Sequence, residues 1–132
     1  MRLTHRPATA EDVESLGEAQ EKMAGVFLEG FSWSVFHGDE LMFIVGHVPF
    51  WVGTTTVWLH VKEGALLPPR ETIRICNRLI DIYTSSYRRV QAFVDSNSVV
   101  NNKFVKVLGF EQESVMAEGN PNGGDYNIYR RL

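Results

Sequence analysis

Two side chains that can accept a proton stand close together in the sequence. His60 lies in a stretch that alternates polar and apolar residues, and Glu63 follows three positions later. Histidine titrates near neutral pH, so His60 is suited to general-base chemistry, and a carboxylate such as Glu63 can serve in the same way. The alternative is structural: His60 would be an ordinary strand residue and Glu63 an exposed loop residue. The two residues therefore form a candidate proton-transfer site with a plain structural alternative.

A row of basic side chains offers a second kind of chemistry, the binding of a phosphate-rich ligand. Arg70, Arg74 and Arg78 recur at every fourth position, the spacing of one helix face. Lys103 and Lys106 follow in a later segment. Arg70 and Arg74, together with the two lysines, could flank phosphate groups. Charges at helical spacing usually form a solvated face, and that alternative stays open.

The single cysteine, Cys76, limits the chemistry that sulfur can do in this chain. One thiol cannot form an internal disulfide, and no Cys–His spacing resembles a zinc site, so no metal is expected. Cys76 falls in the middle of a predicted helix, where a free cysteine usually behaves as a small buried hydrophobe. A catalytic thiol is the alternative. The lone thiol fits a reducing cytoplasm.

The composition is that of an ordinary globular chain. It has 132 residues, of which 44% are hydrophobic and 22% charged, which predicts one folded domain over residues 1–132. The net charge of −3 disfavours nucleic acid as a partner, because neutralising phosphates needs a net basic face. No signal peptide and no apolar run long enough to cross a bilayer is visible, so no membrane association is expected. We therefore expect a cytoplasmic protein.

The elements that must position these residues begin with a short strand and a helix. The strand is predicted over Arg2–Arg6. Thr9 can cap the following helix, and Asp12 occupies the reciprocal position of a capping box. Apolar residues then recur at helical spacing as far as Gly30. They are Val13, Leu16, Ala19 (or Gln20), Met23 and Phe27.

Three strands with alternating side chains follow and predict a β-meander. They run over Phe31–Phe36, Leu41–Val45 and Thr54–Val61. A turn is expected over residues 37–40, and Gly46–Pro49 is expected to form a second turn or a bulge. Because side chains alternate along a strand, His60 should lie on the same side of the sheet as Trp58.

The second half of the chain predicts two more helices and three more strands. Pro69 suits the first turn of a helix, because its missing N–H would be unpaired there. The remaining elements are a strand over Val90–Val94, a helix over Val99–Leu108 ended by Gly109, and strands over Phe110–Ala117 and Asp125–Arg131. A parallel crossover should lead to Val90, and an antiparallel hairpin should close the chain. The order β-α-βββ-α-β-α-ββ predicts an α/β (α+β) fold, a mixed sheet flanked by helices.

This order and three local strings resemble the GNAT N-acetyltransferase superfamily. The strings are RPATAEDVESL (Arg6–Leu16), NSVVNNKFVKVLGFEQES (Asn97–Ser114) and the C-terminal GGDYNIYRRL. The second is similar to a family signature that opens with an asparagine and ends in Lys-Leu-Gly-Phe before the next strand. The layout also resembles a degenerate branch of the fold found in tailed-phage genomes, which includes the podophage internal virion protein A. A phage-encoded chain would act in the host cytoplasm.

The resemblance implies transfer of an acetyl group from acetyl-CoA to an amine, carried by a small molecule or a protein. His60 or Glu63 would then be the catalytic base for the amine. Family members often place a proton-donating tyrosine four residues before the signature glycine, Gly109. Here that position holds Val105, which cannot donate a proton. A thiolate is a tolerable leaving group near neutral pH, so the loss need not end catalysis.

The resemblance also implies a cofactor site where the helix after the third meander strand begins. The family holds the pyrophosphate with a loop of pattern (Gln/Arg)-x-x-Gly-x-(Gly/Ala) and a helix N-terminus. Here the segment from Val61 to Arg70 keeps one glycine and has two prolines, which lack N–H groups. Arg70, Glu71 and Thr72 would still offer backbone N–H groups. The resemblance also places a cofactor-contacting asparagine before the later helix, but helix capping alone would explain the presence of Asn97 or Ser98 there. The cofactor-binding residues implied are Val61, Arg70, Glu71, Thr72, Arg74, Asn97, Ser98, Asn101 and Lys103.

Three hypotheses about function stay open. The first is an acyl-CoA-dependent N-acyltransferase with a degenerate cofactor loop. The second is a catalytically inactive phage or prophage protein of the same fold that acts through a protein partner or as a homodimer. The third is a module that binds CoA and transfers nothing. Trp33, Trp51 and Trp58 could line an apolar groove for an acceptor or a partner, or they could belong to the core.

Overall fold

The chain folds into a mixed α and β structure, given by a computed structural model that describes residues 2–16 and 30–132. Within those two ranges it has seven strands and three helices. The strands are β1 (Thr4–Pro7), β2 (Ser32–His37), β3 (Glu40–Trp51), β4 (Thr54–Val61), β5 (Arg89–Asp95), β6 (Glu111–Met116) and β7 (Tyr126–Arg131). The helices are α1 (Ala10–Glu14), α2 (Pro69–Ser86) and α3 (Val99–Val107). This order is the one that the sequence predicts.

All seven strands belong to one sheet, in the order β1-β2-β3-β4-β5-β7-β6. β2 lies antiparallel to both β1 and β3. β4 and β5 run parallel, with Thr54 opposite Arg89, which confirms the predicted crossover through α2. β7 lies between β5 and β6 and is antiparallel to both, which confirms the predicted closing hairpin. The fold class predicted from the sequence is therefore confirmed.

The chain divides into two compact units. The first combines residues 1–48 with 57–76, and the second combines residues 49–56 with 77–132. β3, β4 and α2 each contribute to both units, because the division crosses all three elements. The single domain predicted over residues 1–132 stays a prediction, since a compact unit can be a part of one domain.

In the first unit, a buried carboxylate fixes the start of α1. The Thr9 hydroxyl accepts the N–H of Asp12 at 3.3 Å, and the Asp12 carboxylate accepts the N–H of Thr9 at 3.0 Å. Asp12 also accepts hydrogen bonds from Arg6 at 2.8 and 2.9 Å and from the Ser34 hydroxyl at 2.7 Å. The predicted capping box is confirmed, and the same carboxylate ties α1 to β1 and β2.

β3 runs without a break from Glu40 to Trp51, so the turn predicted over Gly46–Pro49 is wrong, and the alternative of a bulge there stays a prediction. Gly46 serves packing instead: a Cβ atom there would lie 2.5 Å from the ring of Trp58. His47, the next residue, is buried, and this burial lowers its pKa. The chain turns later, at Val52–Gly53, where Gly53 has a φ of +85° that favours glycine. A glycine that resembles a turn signal in the sequence is therefore a contact site for an aromatic ring.

Each unit has its own buried apolar side chains. In the first unit Ala8, Leu16, Leu41 and Ile44 form a cluster, and Trp58 packs against it. In the second unit the buried set comes from α2, β5, β7 and the segment after α3. It includes Leu79, Ile80, Tyr83, Val90, Ala92, Val94, Leu108, Phe110 and Tyr129. The elements that carry the candidate residues are thus anchored within their own units.

Part of the first predicted helix lies outside the described residues. Ala19, Gln20, Met23 and Phe27 fall within residues 17–29, whereas α1 is described from Ala10 to Glu14. Within residues 2–16 and 30–132, no helix combines the length and the apolar character that crossing a membrane requires.

Candidate active site

His60 lies near the end of β4, in the first unit, and is half-buried. Its ring centroid is 5.8 Å from that of Trp58, and the two rings are inclined by 35°. Trp58 packs in turn against the cluster that includes Leu16, just after α1. His60 is therefore next to Trp58, as the alternation along the strand predicts.

Glu63 lies beyond the end of β4, in an exposed turn. Its backbone N–H donates to the Leu16 carbonyl at 3.3 Å. The turn is closed by Ala65, whose N–H donates to the Lys62 carbonyl at 3.0 Å, and Gly64 has a φ of +79°. The two candidate bases thus have different settings: His60 is held within the sheet, and Glu63 is open to solvent.

The β4–α2 segment (residues 62–72) is the candidate phosphate site, and its backbone N–H groups divide into two sets. The first set donates to carbonyl groups of the chain. It consists of the N–H groups of Lys62, Glu63, Ala65 and Thr72. The second set has no hydrogen-bond partner among the residues that the structure describes. It consists of the N–H groups of Gly64, Leu66, Leu67, Arg70 and Glu71. Two prolines in the segment contribute no donor.

The backbone N–H of Thr72 is not an open donor. Its N–H donates to the Pro68 carbonyl at 3.0 Å, so the expectation of an open donor at Thr72 is wrong. The reason is its position, because Pro68 directly precedes the first helical residue and its carbonyl accepts the first bond of the helix. Thr72 is only 4% exposed, and its buried hydroxyl has no hydrogen-bond partner in the described part of the chain. Arg70 and Glu71 are left as the open donors of α2.

The side chains at the start of α2 form an ion pair. Two nitrogens of Arg74, Nε and one terminal nitrogen, lie 2.8 and 2.7 Å from a single carboxylate oxygen of Glu71. The hydrogen bond from Arg74 is the main cause that lowers the pKa of Glu71, and the N–H of Leu3 adds to it. Arg74 is thus engaged by a carboxylate of its own helix. Arg70 is exposed and forms no ion pair with any described residue.

In the second unit, Ser98 caps α3. Its hydroxyl accepts the N–H of Asn101 at 3.2 Å. Asn97 is exposed, and its N–H donates to the Asp95 carboxylate at 2.9 Å. Asn101 and Lys103 are exposed on the helix. Capping therefore accounts for Ser98, and the cofactor roles implied for these four residues of the β5–α3 region stay predictions.

The amide of Asn102 is a polar centre of the second unit that the sequence does not single out. Its nitrogen donates to the carbonyls of Asp95 and Ser98 at 3.0 and 2.7 Å. Its oxygen accepts the Tyr129 hydroxyl at 2.6 Å and the Asn127 amide at 2.9 Å. Tyr129 is completely buried, and this burial raises its pKa. The network joins β5, α3 and β7 and fixes the start of α3.

Val105 and Cys76 are two further positions that the sequence raises in connection with proton chemistry. Val105, where the resemblance implies a tyrosine, is half-buried. Cys76 is 1% exposed, and burial raises its pKa to about 12, which confirms the interpretation as a buried structural thiol. In the described ranges, no group of three His, Cys, Asp or Glu side chains could hold a metal ion. The catalytic roles of His60 and Glu63 stay predictions.

The three tryptophans have different settings. Trp33 is half-buried, with its ring centroid 5.4 Å from that of His5 in an edge-on contact. Trp58 packs on the core cluster of the first unit. Trp51 is 66% exposed at the end of β3, and its ring centroid is 5.7 Å from that of Phe50. Trp58 therefore belongs to the core, as one of the two alternatives predicts, whereas Trp51 does not. A groove lined by these residues stays a prediction.

Comparison with solved structures identifies the fold. With a TM-score of 0.78, the structure is similar to that of yncA from Salmonella typhimurium with its cofactor acetyl-CoA, at 13% identity over 100% of this chain and 94% of that chain. It is also similar to a GNAT family acetyltransferase from Bacillus anthracis (TM-score 0.76, 11% identity, 100% and 95% covered). A third similar structure is the ribosomal-protein-S5-alanine acetyltransferase from Vibrio fischeri (TM-score 0.76, 12% identity, 100% and 93% covered). No protein-family model and no curated protein matches the chain. The chain therefore has the GNAT fold.

Proposed function

We propose that this chain is an acyl-CoA-dependent N-acyltransferase that moves an acetyl group to an amine. The observation that carries the proposal is the β4–α2 segment on a GNAT fold. Five of its N–H groups have no partner in the described chain, and they lead into a helix N-terminus. Backbone N–H groups and a helix N-terminus together bind phosphate oxygens. The donors present therefore fit the pyrophosphate of an acyl-CoA, in a set that Pro68 and Pro69 reduce.

A small set of residues in the first unit is proposed to hold the pyrophosphate of the acyl-CoA. The N–H groups of Gly64, Arg70 and Glu71 would face phosphate oxygens, and the exposed Arg70 guanidinium would add a positive charge. Val61, the last residue of β4, would lie beside the chain of the cofactor. Phosphate binding would thus depend more on the backbone than on side chains.

The proton chemistry is proposed to use one base and no tyrosine. When bound, acetyl-CoA supplies an acyl group activated as a thioester. An attacking amine must lose a proton, and His60 is the first candidate to take it because its ring is held beside Trp58. Glu63 is the second candidate, in the exposed turn. Val105 cannot protonate the leaving sulfur, but a thiol with a pKa of about 8.5 needs little help near neutral pH.

The acceptor is proposed to be an amine of a small molecule or a protein. One similar structure is named for the alanine of a ribosomal protein, which is a protein acceptor. The proposed location is the cytoplasm, where acyl-CoA is made and used.

Calorimetric titration with acetyl-CoA and with free CoA tests the proposal. We expect saturable binding of both at one site per chain. His60→Ala should bind acetyl-CoA as well as the wild type and lose the amine-dependent release of CoA thiol, with Glu63→Ala as the matched comparison. Absence of binding by the wild-type protein up to millimolar concentration would refute the proposal.

A second candidate is a non-catalytic protein of the same fold that acts through a protein partner or as a homodimer. Val105 and the ion pair between Glu71 and Arg74 favour it, because the first removes an acid and the second neutralises a cation. It predicts a stable assembly in light scattering and no turnover, and a phage origin would fit it. A module that only binds CoA differs from both, because its binding would survive His60→Ala and Glu63→Ala and no variant would show activity.

A further inference from the structure

The start of α2 carries a negative charge where the proposed function needs a bound phosphate. Glu71 is the third residue of the helix, and its own N–H is one of the open donors of the β4–α2 segment. Its carboxylate, 23% exposed, is held by the Arg74 guanidinium at 2.7 and 2.8 Å. The hydrogen bond from Arg74, supported by the N–H of Leu3, lowers the pKa of Glu71 and keeps the group ionised. A carboxylate therefore already occupies this end of the helix.

This carboxylate opposes a phosphate ligand in two ways. A helix N-terminus favours negative charge, and Glu71 already provides it, so the gain from a second anion is smaller. The two like charges also repel each other, more strongly near a protein surface than in bulk water. In addition, the guanidinium of Arg74 is turned to Glu71, so this positive charge is already neutralised. Only Arg70 offers a cation in the first turns of α2 without an ion pair in the described chain.

We propose that Glu71 is an internal anion that lowers the affinity of the β4–α2 segment for the phosphates of acyl-CoA, by repelling them and by holding Arg74. This inference rests on the proposed function, because it concerns the same cofactor. It separates two parts of one residue: the N–H of Glu71 serves as a donor, and its side chain acts against binding. The resemblance implies a cofactor role for the backbone N–H of Glu71, whereas the side chain of the same residue lowers the affinity of the site.

Glu71→Gln tests the proposal, because glutamine keeps the size of the side chain and an acceptor oxygen for the N–H of Leu3. At low salt we expect the Kd for CoA, measured by calorimetry, to fall about fivefold, since one negative charge near the phosphates is removed. The gain should shrink as ionic strength rises. Glu40→Gln removes a charge at the exposed start of β3 and serves as the matched control, with an expected change below about twofold.

Arg74→Gln, made both in the wild type and in Glu71→Gln, tests whether Glu71 acts by holding Arg74. We expect a small change of the CoA Kd in the wild type, because Arg74 is already engaged. In the Glu71→Gln background, loss of Arg74 should remove the part of the gained affinity that comes from the release of Arg74. An equal loss of affinity in both backgrounds would mean that Arg74 reaches the ligand without release from Glu71, which would overturn the part of the proposal in which Glu71 holds Arg74.

The outcomes separate this inference from the proposed function. The melting temperature of each variant without ligand shows that folding is intact, and Glu71→Ala repeats the test with a second side chain. CoA binding by the wild type that Glu71→Gln leaves unchanged or weakens would overturn the inference and leave the proposed function standing. If the wild type binds no CoA, the proposed function fails. Binding by Glu71→Gln alone would then still support the inference, and binding by neither would overturn it.

Discussion

Replacement of Asn102 with alanine tests the polar network of the second unit. The substitution removes one amide that donates to two backbone carbonyls at 3.0 and 2.7 Å and accepts from Asn127 and Tyr129 at 2.9 and 2.6 Å. The Tyr129 hydroxyl is affected most, because the residue is 0% exposed and cannot turn to solvent instead. A buried polar group left without a partner costs about 1–3 kcal/mol.

The size of the effect follows from how exposed the other partners are. Asp95, Ser98 and Asn127 are half-buried, so solvent can replace the lost amide in part. We take the loss of these three partners together to cost about 1 kcal/mol, in addition to the cost of the unpaired Tyr129 hydroxyl. We therefore expect Asn102→Ala to lower the free energy of unfolding by about 3 kcal/mol. Tyr129→Phe removes the hydroxyl itself and should cost about 1 kcal/mol. In the double variant no hydroxyl is left unpaired, so the total loss should be about 1–2 kcal/mol smaller than the sum of the single losses.

Urea unfolding with linear extrapolation measures these differences. Asn101→Ala is the matched control, because Asn101 is the same residue type on the same helix and is exposed. Its free energy of unfolding should stay within about 0.5 kcal/mol of the wild type. If Asn102→Ala lost no more stability than Asn101→Ala, or if the losses of Asn102→Ala and Tyr129→Phe were simply additive, the argument from the buried hydroxyl would be refuted.

Three further predictions concern the first unit. Burial would raise the pKa of Asp12, but hydrogen bonds, chiefly from Arg6, outweigh it and lower that pKa. The unfolded chain then binds more protons, so the free energy of unfolding should fall as pH drops below about 4, and Asp12→Asn should flatten this slope in urea titrations. Cys76, with its pKa raised to about 12, should react with a disulfide reagent only as the protein unfolds, and rapid reaction of the native protein would contradict its burial. Gly46→Ala should cost about 1–3 kcal/mol in urea unfolding, and the loss should shrink in a Trp58→Phe background.

Elements with local signals could be predicted from the sequence. The capping box of Thr9 and Asp12 needs only residues three positions apart, and it is found as predicted. The same holds for Ser98 at the start of α3 and for Gly109 after its end, where φ is +88°. Such signals act through bonds between near neighbours in the chain, so the sequence contains all the information they need.

Features that depend on distant partners could not be predicted. Asn102 is one of two adjacent asparagines, and only the fold shows that it, rather than Asn101, meets Tyr129 from 27 positions further along. From its neighbours in the sequence, Gly46 resembles a turn signal. Its packing role could not be predicted, because the ring of Trp58 is twelve residues away in the sequence and approaches Gly46 only after folding. The pair of Glu71 and Arg74 is local in sequence, but helical spacing alone does not tell a mutual pair from two solvated charges.

The N-termini of α2 and α3 differ in how their N–H groups are satisfied, and this difference bears on the charge at position 71. At the start of α3, Ser98 supplies a neutral cap that accepts the N–H of Asn101, so part of the donor set is used within the protein. At the start of α2, the described residues provide no capping side chain, and among them the N–H groups of Arg70 and Glu71 find no acceptor. An open helix end favours an anion, and the chain supplies one itself in the Glu71 carboxylate. If the proposed function holds, the affinity of this chain for an acyl-CoA depends on how readily a phosphate displaces that carboxylate from Arg74, and a measured Kd for Glu71→Gln against the wild type tests this dependence.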